Sequence, residues 1–594
     1  MRLEPNQFWS LAEWLFREGS LLYGAILVIT MAAFGFFVCY LVAMVRQGPG
    51  EGFFSIAKVI YDLFRTDLPK TSIFRIWAIA KLSFLEAIRR KVLAVIAIFI
   101  VGILFAGWFL DKSSEDPAKL YISFVLTATN YLILLLGLFL SAFSLPADIK
   151  NRTIYTIVTK PVRPTEIVLG RVVGFSLIGS VILAVLGILS YNFVVRGLKH
   201  SHEVATISSD GKVGVTDTSG AHSHNFRLNS EGKGVTDQVK GHQHIVTALQ
   251  VNGETKYEVG QPTGDLSARV PIYGGLSYTD RNGVAGDGLN VGYMSEYRKF
   301  IAGGSLSSAI WTFENVKASD FPDGLQIEMN IEAFRTYKGD IVTPVRGTLI
   351  LRSPDETVES ERRSFLVKES VDRKTIPLTL SGFRLNKPAS LDLFKDLVVD
   401  GRVQVIIRCE DSQQYLGMAA ADLALLAGEK TFAWNFFKGY VSIWLQMVIV
   451  ICFGVMYSTF LSGPVAMVAT MSSLILGFFG GNIDTFFNVK DNGGGPVEAV
   501  VRILTQKGTM LDMDLGNQAL EKTIQTIDYG LMSGVSTLKS AVPDFGRLGT
   551  SDFIAYGVDL FDGLLARHIL IALGYFLMTT IIGYFFLKTR EMAA

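Results

Sequence analysis

The sequence predicts a polytopic α-helical membrane protein with an inserted, mainly-β extracytoplasmic domain. Three observations predict it. Seven apolar stretches reach or approach the roughly 20 residues that cover about 30 Å of hydrocarbon: Leu22–Val45, Val92–Leu110, Tyr121–Phe143, Val172–Val194, Gly439–Phe460, Gly463–Asn482 and Ile569–Leu587. A polar block over 195–437 interrupts them and alternates apolar with polar residues in short runs. Inside that block, six of the chain's seven histidines fall between 200 and 244.

None of the seven stretches holds an Asp, Glu, Lys, Arg or His. Ion-coupled carriers and pumps keep ionisable side chains at membrane depth, where protons and ions must be held. Work done across the membrane is therefore expected to draw its energy from elsewhere. The chain has 594 residues, 49% of them apolar, and a net charge of +1. That balance predicts a multi-domain membrane protein without the basic surface of a nucleic-acid binder. Glu4, Glu13 and Glu18 precede the first stretch, which is too long for a signal core, so no cleaved signal is expected. Cys39 and Cys452 lie in expected spans, where a thiol acts as a small hydrophobe. Cys409 stands alone in the soluble block, so no intrachain disulfide is expected there.

Basic residues near span ends set the orientation. The 46–91 segment holds Arg46, Lys58, Arg65, Lys70, Arg75, Lys81, Arg89, Arg90 and Lys91; the next loop on that side holds Lys150, Arg152, Lys160 and Arg163, and the tail holds Lys588 and Arg590. These face the cytoplasm in the expected topology, which puts the N-terminus and 195–437 outside. The expected location is the plasma (cytoplasmic) membrane.

Along the chain, 1–46 carries the first span and 47–91 two amphipathic helices. Phe53, Ile56, Ala57, Ile60 and Phe64 form one helical stripe; Ile73, Ile76, Trp77, Ala80, Phe84 and Ile88 form a second. Such helices lie in the membrane interface. Segment 92–194 carries three spans with the loop 144–171 between the second and third. Histidine hairpin repeats are expected over 195–265 and a β-sandwich over 266–437. In the sandwich, Leu325, Ile327, Met329 and Ile331 alternate with polar residues, as do Val403, Val405, Ile407 and Cys409, and Ile376, Leu378 and Leu380. Segment 438–594 carries the last three spans and an external helical region, 483–567. There Leu520, Ile524, Ile527, Leu531, Val535, Leu538 and Val542 step by three and four until Pro543. Phe553–Leu565 is apolar but too short to cross, and predicts a re-entrant or interfacial helix.

The histidines come as three His-x-His pairs: His200/His202, His222/His224 and His242/His244. Gly211-Lys212-Val213-Gly214-Val215-Thr216-Asp217 is echoed by Gly232-Lys233-Gly234-Val235-Thr236-Asp237, which predicts one hairpin per unit. Residues i and i+2 of a strand share a face, so each pair could offer two imidazoles to one divalent transition metal, Zn, Cu or Ni. A duplicated polar hairpin that carried its histidines along explains the same pattern without a metal.

The loop SLPADIKNRTIYTIVTKPVRPTEIVLGR, Ser144–Arg171, is stiff and basic. Ala147–Val158 is expected to form a short helix across the cytoplasmic face, Pro161 and Pro164 a rigid turn, and Thr165 the cap of the next helix. An ordinary tight connection between spans accounts for these features too.

With the segment IWAIAKLSFLEAIRRK before the second span, the run DIKNRTIYTIVTKPVRPTEIVLGR and the ending FGRLGTSDFIAYG…ALGYFLMTTIIGYFFLKTREMA, the chain resembles permeases of the ABC-transporter type-2 family over about 73–194 and 438–594. The first segment is similar to the family's elbow helix, and the second to its cytoplasmic loop. The resemblance implies a six-span permease core that pairs with a second such core and with two cytoplasmic ABC ATPase subunits docked on a coupling helix. Carried over by position, Asp148, Arg152, Thr153, Lys160, Pro161 and Glu166 would lie in or beside the docking element. The chain departs from the family's plain pattern in its extra N-terminal span and in an insertion of roughly 240 residues, so substrate and direction stay open, with export, or mechanical action on an extracytoplasmic partner, expected.

No phosphate-cradling loop is present: Gly211-Lys212 and Gly232-Lys233 lack the following Ser or Thr. Leu461-Ser462-Gly463-Pro464 is a turn between two expected spans. Nucleotide hydrolysis is therefore expected on a partner chain. The contrasting readings are a membrane-anchored extracytoplasmic metal- or ligand-binding protein and an extracytoplasmic enzyme; no nucleophile motif or paired-carboxylate spacing favours the enzyme, and no catalytic residue is assigned.

Overall fold

Apolar segments that meet no water must satisfy their backbone within themselves, and helices do so. The structure, a computed structural model, describes residues 11–589 apart from 18, 90–93, 111–113, 115, 151–161, 210, 230–231, 238, 252–253, 265, 292–297, 322–323, 337–342, 368–371, 377–378, 385–386, 429–430, 487–494 and 507–517. Five of its helices are long and apolar enough to cross a membrane: Pro117–Lys150, Pro164–Leu198, Phe432–Ser458, Gly463–Gly480 and Asp562–Thr589. Ser20–Gln47 forms one further helix of 28 residues. Ala94–Phe109, at 16 residues, is shorter than the expected second span. The chain divides into two units, one made of the helices with residues 200–266, the other of Ser267–Phe432 with Gly557–Phe561.

In the helical unit, the two amphipathic segments are the helices Pro49–Asp62 and Ile73–Arg89. Ile73 and Trp77 of the second are exposed, whereas Ile79, Ala80, Ser83 and Ala87 are buried. The buried side crosses Pro164–Leu198 at Gly170 and Gly174. A Cβ at Gly170 would stand 2.6 Å from Ile79 Cβ, and one at Gly174 2.5 Å from Ala80 O. Small residues four apart let two helix backbones touch, so this crossing is written in the two glycines.

Three expectations change here. Pro117–Lys150 runs unbroken through Pro146 to Lys150, so Asp148 closes a long helix instead of opening a separate one. The N-cap of Pro164–Leu198 is Arg163, with Pro164 in the first turn; Glu166 does the capping, accepting from Arg163 N at 3.0 Å, and Thr165 does not. The stretch 553–565 is no single helix: Ser551–Ala555 ends, Gly557 turns with φ +72°, and the last helix begins at Asp562. The helices thus run past the apolar windows, and Lys438, Arg567 and His568, all buried, fall within them.

The second unit is antiparallel throughout its sheets. The largest sheet centres on Val403–Cys409, flanked by Ser308–Phe313 and Arg346–Arg352. A four-stranded sheet runs Asp372–Ile376, Leu325–Met329, Leu423–Ala427, Val270–Tyr273. Inward residues of both, including Trp311, Val405, Ile407, Cys409, Ile327 and Leu425, fill one core. The alternation read at Leu325 is the alternation of burial; at Val403–Cys409 the expected inward residues are buried, and Ile406 on the opposite face is buried as well. The run at Ile376–Leu380 belongs to two strands, Asp372–Ile376 and Thr379–Arg384.

The repeats form a six-stranded antiparallel meander in the helical unit: β1 (Val204–Ile207), β2 (Val213–Thr216), β3 (Asn225–Leu228), β4 (Lys233–Thr236), β5 (Ile245–Val251) and β6 (Glu254–Val259). Phe226, Leu228 and Val246 are its buried core, with Val204, Ala248, Tyr257 and Val259 packed on them.

A candidate metal centre and a buried ion network

Each His-x-His pair precedes an odd-numbered strand: His200/His202 before β1, His222/His224 before β3, His242/His244 before β5. Tight turns deliver the second and third pairs. Gly220 and Ala221, and likewise Lys240 and Gly241, all hold positive φ, the two-residue turn that joins antiparallel strands. The recurring Thr-Asp then fixes the backbone beside the rings. Thr216 Oγ1 accepts from His224 N and Thr236 Oγ1 from His244 N, both at 2.9 Å. Asp217 Oδ1 accepts from Glu203 N and Asp237 Oδ1 from Asn225 N, both at 2.8 Å.

The six imidazoles converge. Every ring meets the others edge to face at 4.7–5.2 Å between centroids, except the one opposite it. The outward nitrogens of five of them are taken by carbonyls. His202 Nδ1 donates to Asp217 O at 3.0 Å, His224 Nδ1 to Asp237 O at 3.0 Å and His244 Nδ1 to Gly260 O at 2.8 Å. His200 Nδ1 donates to Leu198 O at 2.9 Å and His222 Nδ1 to Gly220 O at 3.1 Å. A carbonyl only accepts, so the proton sits on Nδ1 and the Nε2 lone pair points inward, the arrangement that orients metal-ligating histidines.

Inside, Nε2 of His242 stands 3.0 Å from Nε2 of His200, 3.0 Å from that of His222 and 3.3 Å from that of His224. Nε2 of His244, a wholly buried side chain, has no hydrogen-bond partner among the described residues. Burial holds His222, His224 and His244 down to about 4, against the carbonyl hydrogen bonds that raise them; neutral rings are the metal-binding form. Two four-histidine sets, His200/His202/His222/His242 and His202/His224/His242/His244, keep their ligand atoms within 4.8 Å and could hold a metal ion.

The residues expected at the coupling loop sit differently. Arg152, Thr153, Lys160 and Pro161 lie outside the described residues. Glu166 is fully buried; its carboxylate takes two bonds from Arg75, from Nε at 2.8 Å and Nη2 at 2.6 Å, and another from Ser72 N at 2.8 Å. It holds two helices together and shows no face to a partner. Asp148 pairs with the buried Arg171, which also bonds Glu86 at 2.7 Å. Sequence reasoning missed the third group. Asp67 accepts from Arg163 Nη1 at 2.8 Å, Tyr584 Oη at 2.8 Å and Lys588 Nζ at 3.1 Å. Burial pushes the Asp67 carboxyl up, but the bonds from Tyr584 and Lys588 and the charge of Arg163 hold it below the usual carboxylate range. Nothing in the local pattern around Asp67 marks it; its partners lie far away in the chain.

No protein-family model, curated protein or solved structure matches the chain. Function is read from the residues themselves.

Proposed function

We propose that the chain is a membrane-spanning permease subunit of an ATP-binding-cassette transporter, moved by a separate cytoplasmic ATPase, with the histidine repeats as an extracytoplasmic metal-holding module. One observation carries the transport reading. The residues on either side of 151–161 are fastened by ion pairs that each have one buried partner: Asp148 to buried Arg171, Arg163 to buried Asp67 and buried Glu166 to Arg75. Arg171 with Glu86 and Glu166 with Arg75 join Pro164–Leu198, and through Asp148 the end of Pro117–Lys150, to the helix Ile73–Arg89; Asp67, just before that helix, joins Arg163 to Lys588 at the end of Asp562–Thr589. A push delivered at 151–161 would therefore move several helices as one, and the pairs resist slippage because separating one would leave a buried charge uncompensated. The resemblance to type-2 permeases supplies the partner, an ATPase pair, and a second permease core.

A second reading, a membrane-anchored metal-binding protein, is favoured by the histidine cluster alone. Affinity purification of the full chain from its native membranes separates the two. The transport reading expects a P-loop ATPase to co-purify and to be lost when 151–161 is replaced by glycine and serine. Purification without any ATPase, with metal bound, supports the anchored binder.

A further inference from the structure

Each of the six rings adjoins four others and stands opposite one. The opposed pairs are His200 with His224, His222 with His244, and His242 with His202, the only combinations not in ring contact. Six points so related are the corners of an octahedron. The relation is also cyclic: the first histidine of each pair faces the second of the next. His200, His222 and His242 form one triangular face; His202, His224 and His244, all buried, form the other. One chain thus builds a threefold cage from three hairpins.

We propose that this cage holds a single six-coordinate divalent ion of the iron, cobalt or nickel type, as a permanent staple and not as cargo. The inference deepens the metal-holding part of the proposed function and rests on it. Size supports it. Four adjacent Nε2 pairs lie 3.0–3.3 Å apart, and dividing an octahedral edge of that length by √2 places a nitrogen about 2.1–2.3 Å from the centre, close to the length of a metal–imidazole bond. Two ions do not fit, because the two four-histidine sets share His202 and His242.

Ligand number then selects the metal. Zinc in closed sites takes four ligands in a tetrahedron, and copper(II) prefers a tetragonal field. Six nearly equivalent imidazoles at right angles suit neither. The rings bring no charge, and among the described residues two carboxylates stand beside them, Asp217 Oδ1, 3.3 Å from His202 Nδ1, and Asp237 Oδ1, 3.6 Å from His224 Nδ1. That modest outer negative charge suits an ion of charge two. All six positions are filled by protein, so no site stays open for water or substrate, and the ion acts through structure alone. It also anchors the repeats to a helix, since His200 Nδ1 bonds Leu198 O, the last residue of Pro164–Leu198.

The test uses the full chain in detergent, stripped by a chelator and reloaded separately with iron(II), cobalt(II), nickel(II) and zinc(II). Metal content is measured by mass spectrometry, and coordination by X-ray absorption at each metal edge. The expected result is one ion per chain, with six nitrogens at one distance and the weak visible bands of octahedral cobalt. His224→Ala is expected to lower retention at least about tenfold, the smallest loss seen when mere outer-shell partners are removed. Tetrahedral zinc or cobalt with four nitrogens, or two ions per chain, would overturn the octahedral inference and leave metal holding intact. Failure of the wild-type chain to retain any of the four ions would overturn both. The wild-type measurement stands whether or not the variant folds.

Discussion

Nε2 of His202 and Nε2 of His222 stand 3.3 Å apart, and neither nitrogen carries a hydrogen. His202 donates its ring proton from Nδ1 to Asp217 O, and His222 donates its own to Gly220 O. Two lone pairs facing at that distance repel unless a cation sits between them. Stripping the metal should therefore loosen the repeats selectively. Amide exchange over β1 to β6 is expected to quicken by about tenfold or more, while exchange over Ser308–Phe313 and Val403–Cys409 stays unchanged. Equal exchange before and after stripping would mean that the rings pack without an ion.

The crossing of Ile73–Arg89 over Pro164–Leu198 depends on missing side chains. A Cβ at Gly174 would meet Ala80 O at 2.5 Å and Ser83 Cβ at 2.7 Å, whereas one at Gly574 meets nothing within 4 Å. Gly174→Ala is expected to destabilise the helical unit by about 1–3 kcal/mol through overpacking. Gly574→Ala is expected to be neutral or slightly stabilising, because alanine is the better helix former. Thermal unfolding in detergent checks the contrast, and equal midpoints for the two variants would refute the close crossing.

Asp67 is 5% exposed and collects Arg163, Tyr584 and Lys588. Removing its charge by Asp67→Asn should cost about 3 kcal/mol, the lower end for a broken buried pair. Its folded value is depressed below 3.8. The stabilisation is therefore present above the unfolded value and lost as pH falls through the lower folded one. The gap in unfolding midpoint between wild type and Asp67→Asn is expected to be constant near neutrality and to shrink below about pH 4. A gap that stays constant into strong acid would contradict the ion network.

Cys409 lies on the inner face of its strand at 3% exposure, and burial pushes its thiol up to about 12. A protonated, covered thiol is a poor nucleophile. A maleimide added to intact membranes should leave the Cys409 peptide unmodified, and labelling should appear only after denaturant. Rapid labelling of the native chain, read by peptide mass, would place the residue outside the core.

Much of this architecture was legible in one-dimensional pattern. Period-two alternation at Leu325–Met329 matches burial because a strand shows alternate residues to opposite faces, whereas Val403–Cys409 buries Ile406 on its other face too. The helical steps from Leu520 to Leu538 match the helix Gln518–Ala541 for the corresponding reason. The clustering of histidines was legible too, as was their possible service to a metal. Their mutual geometry was not, because which imidazole opposes which depends on how three hairpins turn about a common centre. The role of Glu166 was equally hidden: its partner Arg75 lies 91 residues away, and nothing local separates a carboxylate facing solvent from one sealed between helices. The separate helix expected to start at Ala147, directly after Pro146, failed for a simpler reason. A proline removes one donor and strains one turn, but a long, well-packed helix absorbs that cost, and Pro117–Lys150 continues through it.

The central claim is that these helices hold no engine and are driven by contact at the inner face. The most direct test is ATP hydrolysis by the purified full chain in proteoliposomes, measured alone and with the P-loop subunit that the account expects to co-purify. The account predicts no hydrolysis from the chain alone, and hydrolysis with the partner that replacing 151–161 uncouples from the chain. Hydrolysis by the chain alone, or full coupling without 151–161, would contradict it.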